Sequence, residues 1–350
     1  MTSHSKSELS YILSSLSLST RADGRPLTTY RPIFLTTGVA PLANGSAQVS
    51  LGRDEGDSAG GGTVVSCGVR FEVEDISGGE GGEGGRVGCS VTCAQSAYPS
   101  LSPPALEDLQ ADLTTLLTTT LAHPSLFPAS QLSILRGKKA WAMYVDVLVL
   151  ADAGNVLDAV FMAARAAVWD ARVPRTRGVV YRRARGGKPS VDAMDTDATA
   201  AEDIASGGAS GFDVRRQDTA GDFELVDDGE EGKSLEGREG WPVCVTMNVF
   251  DPSSSASYFL DATLAEQTAA PIRLVFIFAF PDGLDAQPVL QGTRTLGTAE
   301  VGMDVLGGLV EAGQTHAVEL ARGVRAQLRA EDVRRTEKAR QKFGRGRVGV

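Results

Sequence analysis

Residues 136–168 read RGKKAWAMYVDVLVLADAGNVLDAVFMAARAAV. Positions 141–150 are apolar apart from Asp146, the pattern of a strand covered on both faces. The strand runs into a turn, Ala153-Gly154-Asn155-Val156. Beyond it Leu157, Val160, Phe161, Ala164 and Val168 recur at i, i+3, i+4, i+7 and i+11. That period predicts an amphipathic helix over 155–170, stopped by Pro174, with alanines that allow close packing on a sheet. Such a strand–turn–helix unit can hold an anion, because helix N-terminal amides face the turn. A cation is also needed, and none stands in this turn. The segment therefore reads as an enzyme-like scaffold from which the anion chemistry is missing.

Towards the N-terminus, Leu9, Ile12, Leu13 and Leu16 predict a short helix. Short strands broken by Asn44-Gly45, Gly52 and Gly60-Gly61-Gly62 follow over 33–73. The strand at 63–73 is expected to pair with 86–95 across a flexible tip, GGEGGEGG at 78–85. That tip carries Glu80 and Glu83, no Lys, and leads into no helix, so it is not a phosphate cradle. Leucines 106, 109, 113, 116, 117 and 121 line one face of a helix at 106–121. Towards the C-terminus, 241–250 with 257–260 predict a hairpin, 274–280 a buried strand, and a long helix begins near Thr298. Gly292-Thr293-Arg294-Thr295 resembles a phosphate loop, but a hairpin end followed by a Thr298 cap explains it better.

A chain of 350 residues can bury a sizeable core and form two domains. No apolar run reaches membrane-span length, and the Ser-rich start lacks the core of a secretory signal, so no membrane association is expected. Four cysteines suggest reduced thiols rather than a disulfide framework. The net charge of −10 is uneven. Residues 190–240 hold 15 acids and 4 bases, a net −11, which leaves −10 − (−11) = +1 for the rest. Residues 183–240 are poor in large apolar side chains and are expected to form a disordered insertion, so that deleting 190–238 leaves assembly and thermal stability nearly unchanged. Basic stripes at 165–188 and 321–350 fit either nucleic-acid contact or solvated faces. The compact basic turn Arg136-Gly137-Lys138-Lys139 fits phosphate-backbone contact or a subunit interface. Cys67, Cys89, Cys93 and Cys244 with His4, His123 and His316 show no metal-ligand spacing, and no nucleophile elbow is present.

Arg21-x-Asp23-Gly24-Arg25, Arg31-Pro32 and Asn44-Gly45-Ser46-Ala47 resemble the opening of the RNase PH family. Tyr144-Val145-Asp146-Val147 and Gly154-Asn155-Val156-Leu157-Asp158-Ala159 resemble its central unit. The likeness is greatest to its non-catalytic branch, the ring subunits of the eukaryotic RNA exosome and their inactive archaeal partner. Arg136 to Trp141 and Leu260-Asp261-Ala262-Thr263-Leu264-Ala265-Glu266 look most like one ring-subunit type. The resemblance covers about 21–180 and 241–330.

The resemblance implies an α/β (α+β layered) RNase PH-like fold. The expected division is an extension at 1–30, a first domain at 31–182, the insertion at 183–240, a second domain at 241–330 and a basic tail at 331–350. Active members cleave RNA from its 3′ end by phosphorolysis, with Gly-Gly-Thr-Arg in the turn and paired aspartates before the second half. Here Asn155 stands in the Thr position and Val156 in the Arg position. Gly240-Trp241-Pro242 lacks the acid that enters the strand, and Asp222, Asp227 and Asp228 do not align with the pair. A degenerate phosphate site at Gly154, Asn155 and Val156 is therefore expected, with no catalytic residue, metal or cofactor.

The implied partners are other RNase PH-like ring subunits, RNA-binding cap subunits, an associated exoribonuclease and single-stranded RNA, with RNA contacts at Arg136, Lys138 and Lys139. The implied location is the nucleus, including the nucleolus, and the cytoplasm. Three alternatives stay open: a phosphorolytic exoribonuclease with a rearranged phosphate site, another RNase PH-like ring subunit of the exosome, and a binding protein outside any RNA complex.

Overall fold

The computed structural model describes residues 5–52, 61–76, 84–123, 126, 129–182, 190–194, 222–226 and 232–344. The first half runs α1 (Lys6–Ser17), β1 (Ile33–Thr37), β2 (Gly45–Leu51), β3 (Thr63–Asp75), β4 (Val87–Cys93), α2 (Pro103–Leu121), β5 (Ser133–Leu135), β6 (Lys139–Ala151) and α3 (Val156–Asp170). Then come β7 (Arg172–Val173), β8 (Thr176–Arg182), β9 (Ser190–Met194), β10 (Asp222–Leu225) and β11 (Lys233–Ser234). The second half comprises β12 (Val243–Val249), β13 (Tyr258–Leu260), α4 (Leu264–Ala269), β14 (Ile272–Ala279), β15 (Val289–Gly297) and α5 (Met303–Gly344).

The first sheet has the order β1-β2-β3-β6-β4, with β5 also on β6. The second has the order β13-β12-β14-β15. The helix predicted at 155–170 lies between them, against β2 and β3 on one side and β12 on the other. Every residue from Asp158 to Trp169 is buried, so α3 is not amphipathic as expected. The apolar stripe itself is present. The opposite side is also covered, because Ala159, Ala163, Ala166 and Ala167 let a second layer approach. Gly45 shows how tight the first contact is: a Cβ there would sit 2.4 Å from the Ala171 Cα. Asn44-Gly45, expected to break a strand, therefore opens β2 against the helix end. One contiguous apolar core spans both halves, from Ala47 to Leu328.

β3 and β4 are not partners. Both flank β6, β3 antiparallel (Cys67 opposite Val147) and β4 parallel (Cys89 opposite Val145). Side-chain patterning reports faces, not neighbours, so the sequence could not distinguish these pairings. Residues 77–83 of the glycine-rich segment lie outside the described residues. The outer edge of β4 is closed by α2: the Val91 amide donates to Thr114 Oγ1 (3.0 Å) and the Cys93 amide to Gln110 Oε1 (3.1 Å). β6 is not covered on both faces. Leu148 and Leu150 are 38% and 40% exposed, beside Asp146 and Tyr144 on the open face.

The 183–240 segment is not structureless throughout. β10 pairs with β8 (Phe223 opposite Gly178), β11 pairs with β7, and Leu235 is buried in the main core. Its composition hid a few anchoring residues among many polar ones. Asp227 and Asp228 lie outside the described residues. Several described members of the basic stripes are taken up by the fold. Arg165 is fully buried, donating to the Glu239 carbonyl (2.7 Å) and to that of Trp241, and burial pulls its pKa down to about 10. On α5, Arg325 and Arg329 pair with Glu239, Arg334 with Glu331 and Arg335 with Asp170.

α5 starts at Met303, not near Thr298. The Thr298 amide donates to the Pro271 carbonyl (3.1 Å), and the residue caps no helix. Gly292-Thr293-Arg294-Thr295 lies inside β15, where Arg294 pairs with Asp112 at 2.6 Å. It is neither a phosphate loop nor a hairpin end. Among the described residues no helix is long and apolar enough to cross a membrane.

Candidate functional site

The turn between β6 and α3 is built from its backbone outward. Asp152 Oδ1 accepts the Gly154 amide (2.8 Å), and Thr63 Oγ1 accepts the Ala153 amide (3.0 Å) while donating to the Gly154 carbonyl (2.6 Å). Asn155 precedes the helix in the left-handed region (φ 59°), a conformation tolerated by Asn because its short side chain bonds locally. Its Nδ2 reaches Asp158 Oδ2 (3.0 Å) and Asp261 Oδ1 (3.1 Å) instead of capping amides.

Segments far apart in sequence converge on this turn. Arg31 donates to both oxygens of Asp261, Nε to Oδ2 at 2.9 Å and Nη2 to Oδ1 at 2.8 Å. It also donates to the carbonyls of Ala153 (3.1 Å) and Gly154 (2.9 Å). Arg25 adds a bond to Asp261 Oδ2 (2.9 Å). Arg21, fully buried, grips Glu266 (2.9 and 2.6 Å) and the carbonyls of Leu260 and Asp261. Glu266 in turn closes a capping box with Thr263 at the start of α4. Burial alone would raise the Asp261 carboxyl, but Arg31 and Arg25 outweigh it and hold it below the usual carboxylate range. The carboxylate at the centre of the arginines is thus the chain's own.

A second buried carboxylate sits one helical turn on. Asp158 accepts from Tyr30 Oη (2.8 Å), Thr246 Oγ1 (2.8 Å) and the Thr246 amide (3.3 Å), joining α3 to the N-terminal arm and β12. Burial pushes its pKa up to about 6, against the opposing pull of these hydrogen bonds. Between the unfolded value near 4 and this folded value, the native state binds the extra proton, so stability falls as pH rises through that window. The slope approaches about 1.4 kcal/mol per pH unit at most. Asp158→Asn keeps an acceptor towards Tyr30 and turns its amide to the Thr246 hydroxyl. Urea midpoints from pH 4 to 7 should fall for the native chain relative to this variant. Parallel curves would show that Asp158 does not titrate in this range.

Outside the turn lies an open cleft of ≈ 610 Å³ lined in part by Asp23, Arg25, Arg31, Asp152 and Thr263. Among the described lining residues two guanidiniums face two carboxylates, so these together offer an incoming anion no net positive charge. The side chain of Val156, half-buried at the first helical position, contributes neither charge nor donor.

The sequence-predicted residues fall into two separate places. Gly154, Asn155 and Val156 lie at one end of β6, and the basic turn lies at the other, roughly 40 Å away along the strand. Arg136 and Lys138 are exposed at the tip of the β5–β6 hairpin. Lys139 is half-covered: its Nζ lies 3.7 Å from Asp222 Oδ1 and 5.3 Å from the Phe223 ring centre. Asp222 thus sits in a paired strand facing a lysine, far from the β6–α3 turn. The arginine cluster around Asp261 was missed as a site. In the sequence Arg21, Arg25, Arg31 and Asp261 stand out only as markers of resemblance, and nothing in their spacing announces that they meet.

Residues 29–174 match the family described as 3′ exoribonuclease family, domain 1. Curated relatives include "Exosome complex component Rrp42" of Sulfurisphaera tokodaii, 35% identical over 47% of this chain and 56% of the relative. The protein of the same name from Saccharolobus islandicus is 32% identical over 46% of this chain and 55% of the relative. The chain thus spans about half the length of the curated relatives it matches. Among solved structures, "archaeoglobus fulgidus exosome with RNA bound to the active site" superposes with a TM-score of 0.61 at 21% identity, covering 91% of this chain and 97% of that one. "Archaeal exosome core" gives 0.59 at 19% identity, covering 91% and 96%. At such identities the likeness is one of fold.

Proposed function

We propose, from the RNase PH domain at residues 29–174 and the RNase PH-like fold of the chain, that this protein is a non-catalytic ring subunit of an RNA exosome. The relatives named Exosome complex component Rrp42 support a place in that ring, of the ribosomal RNA-processing protein 42 type. The loss of chemistry rests on one observation: Asp261, carried by the chain itself, occupies Arg25 and Arg31 beside a turn whose first helical residue is Val156. Phosphorolysis needs a cation and free amides at the attacking phosphate. This turn has a glycine-shaped backbone, internal ion pairs and a cleft of balanced charge.

In this reading the chain contributes interface and rigidity. It assembles with other RNase PH-like subunits, beneath RNA-binding caps, and passes single-stranded RNA to an associated exoribonuclease. Arg136, Lys138 and Lys139 supply phosphate contacts. The work is 3′-to-5′ RNA processing and turnover, including ribosomal RNA maturation, in the nucleus, its nucleolus and the cytoplasm. The decisive experiment supplies the purified chain with single-stranded RNA, inorganic phosphate and Mg²⁺. No nucleoside diphosphate should be released, and a pull-down of tagged chain from native extract should recover other ring subunits. Diphosphate release by the isolated chain would instead favour a rearranged phosphate site. Recovery of no ring subunit would favour a binding protein outside any RNA complex.

A further inference from the structure

The basic hairpin tip and the acidic insertion meet at one place among the described residues. β10 lies against β5 and carries Asp222 and Phe223 to the base of the tip. Phe223 stacks edge-on against Trp141, ring centres 6.5 Å apart, and Trp141 in turn against Phe71 at 6.3 Å. This aromatic row fixes where Phe223 sits, and so where Asp222 meets Lys139. The contact is half open to solvent: Lys139 is 31% and Asp222 50% exposed. A pair of that kind holds weakly. The strand is short, four residues on β8, and residues 222–231 (DFELVDDGEE) contain six acids and no base. A carboxylate on an aromatic-seated lysine places on that lysine the charge that an RNA phosphate would bring.

We propose that β10 masks the basic turn: Asp222 and Phe223 engage Lys139 in the absence of RNA and give way when a phosphate backbone takes their place. This rests on the proposed RNA role of Arg136, Lys138 and Lys139. A purely structural strand would stay seated whether or not RNA is bound.

The test uses the full chain and a labelled single-stranded oligoadenylate, with affinity measured across a salt series. The double variant Asp222→Asn/Phe223→Ala should bind roughly threefold or more tightly at low salt, and its log K against log salt slope should steepen by about 0.7, one added phosphate contact. Glu224→Gln removes the same charge from the same exposed strand but leaves Lys139 covered, and it should do neither. Arg136→Ala/Lys138→Ala/Lys139→Ala should weaken binding severalfold. If that triple variant weakens binding but the double variant matches the native chain or Glu224→Gln, masking is overturned and the RNA contact stands. If the triple variant binds as the native chain does, the RNA reading of the turn fails, and masking fails with it. Hydrogen exchange of the unmodified chain gives a check free of folding artefacts. Amides of 222–226 should exchange faster with saturating RNA, and unchanged or slower exchange overturns the proposal.

Discussion

Asp261→Ala is expected to cost about 3–5 kcal/mol of folding stability, the range for removing one partner of a buried ion pair. Asp261 has no exposed surface and accepts from Arg31 through Nε, Nη2 and the backbone amide, from Arg25 Nη1 and from Asn155 Nδ2. Without the carboxylate, two guanidiniums confront each other with few acceptors left. The same carboxylate ties the N-terminal arm to the α3 turn and to the end of β13, so the loss reaches three segments. Asp261→Asn retains shape and one acceptor and should lose less. Urea denaturation of the three proteins at neutral pH reads the effect. A loss below about 1 kcal/mol for the alanine variant would mean that solvent replaces the network, as at an exposed pair.

Gly154→Ala is expected to be of similar severity for a different reason. Gly154 has φ +100°, and a Cβ there would lie 2.3 Å from the Ala262 carbonyl oxygen and 2.8 Å from the Thr263 carbonyl carbon. Both are backbone atoms, and Ala262 is held from either side by Asp261 and α4. Backbone strain alone costs roughly 1–3 kcal/mol. Displacing the packed segment should bring the total to about 4 kcal/mol or more, among the largest effects of single substitutions. Gly137→Ala is the matched comparison: φ is also positive (67°), but nothing lies within 4 Å of the added Cβ. It should cost only the strain, about 1–2 kcal/mol. Thermal unfolding of the pair separates the two contributions, and equal losses would show that the Ala262 contact is yielding.

Both predictions concern a turn that was legible from the start. The strand, the turn and the helix of 136–168 stand where hydrophobic period placed them, within a few residues. The outlying leucine helix at α2 and the strands β12 and β14 were also readable, because each buries a regular pattern of its own. Errors cluster where a local pattern has two spatial solutions. A strand of alternating side chains says nothing about which neighbour it joins, so the pattern suggests β3 beside β4 although both flank β6. A polar, glycine-rich stretch hides Leu235 and Phe223, because one or two anchors barely move its composition. Thr298 resembles a cap and so suggests an early start for α5, although its amide is committed to the Pro271 carbonyl.

The candidate site divides in the same way. Val156 could be judged from sequence, since a valine side chain has neither charge nor donor in any environment. Arg25, Arg31 and Asp261 could not, since an arginine is a phosphate ligand or a structural counter-ion according to what faces it. More than 220 residues separate Arg31 from its carboxylate. Short-range pattern and side-chain chemistry, which act within a few residues, therefore determined the core βα unit and the missing arginine in its turn. Long-range packing alone decided that α3 is enclosed by two sheets, that Asp261 fills the arginine cluster and that β10 meets the basic turn.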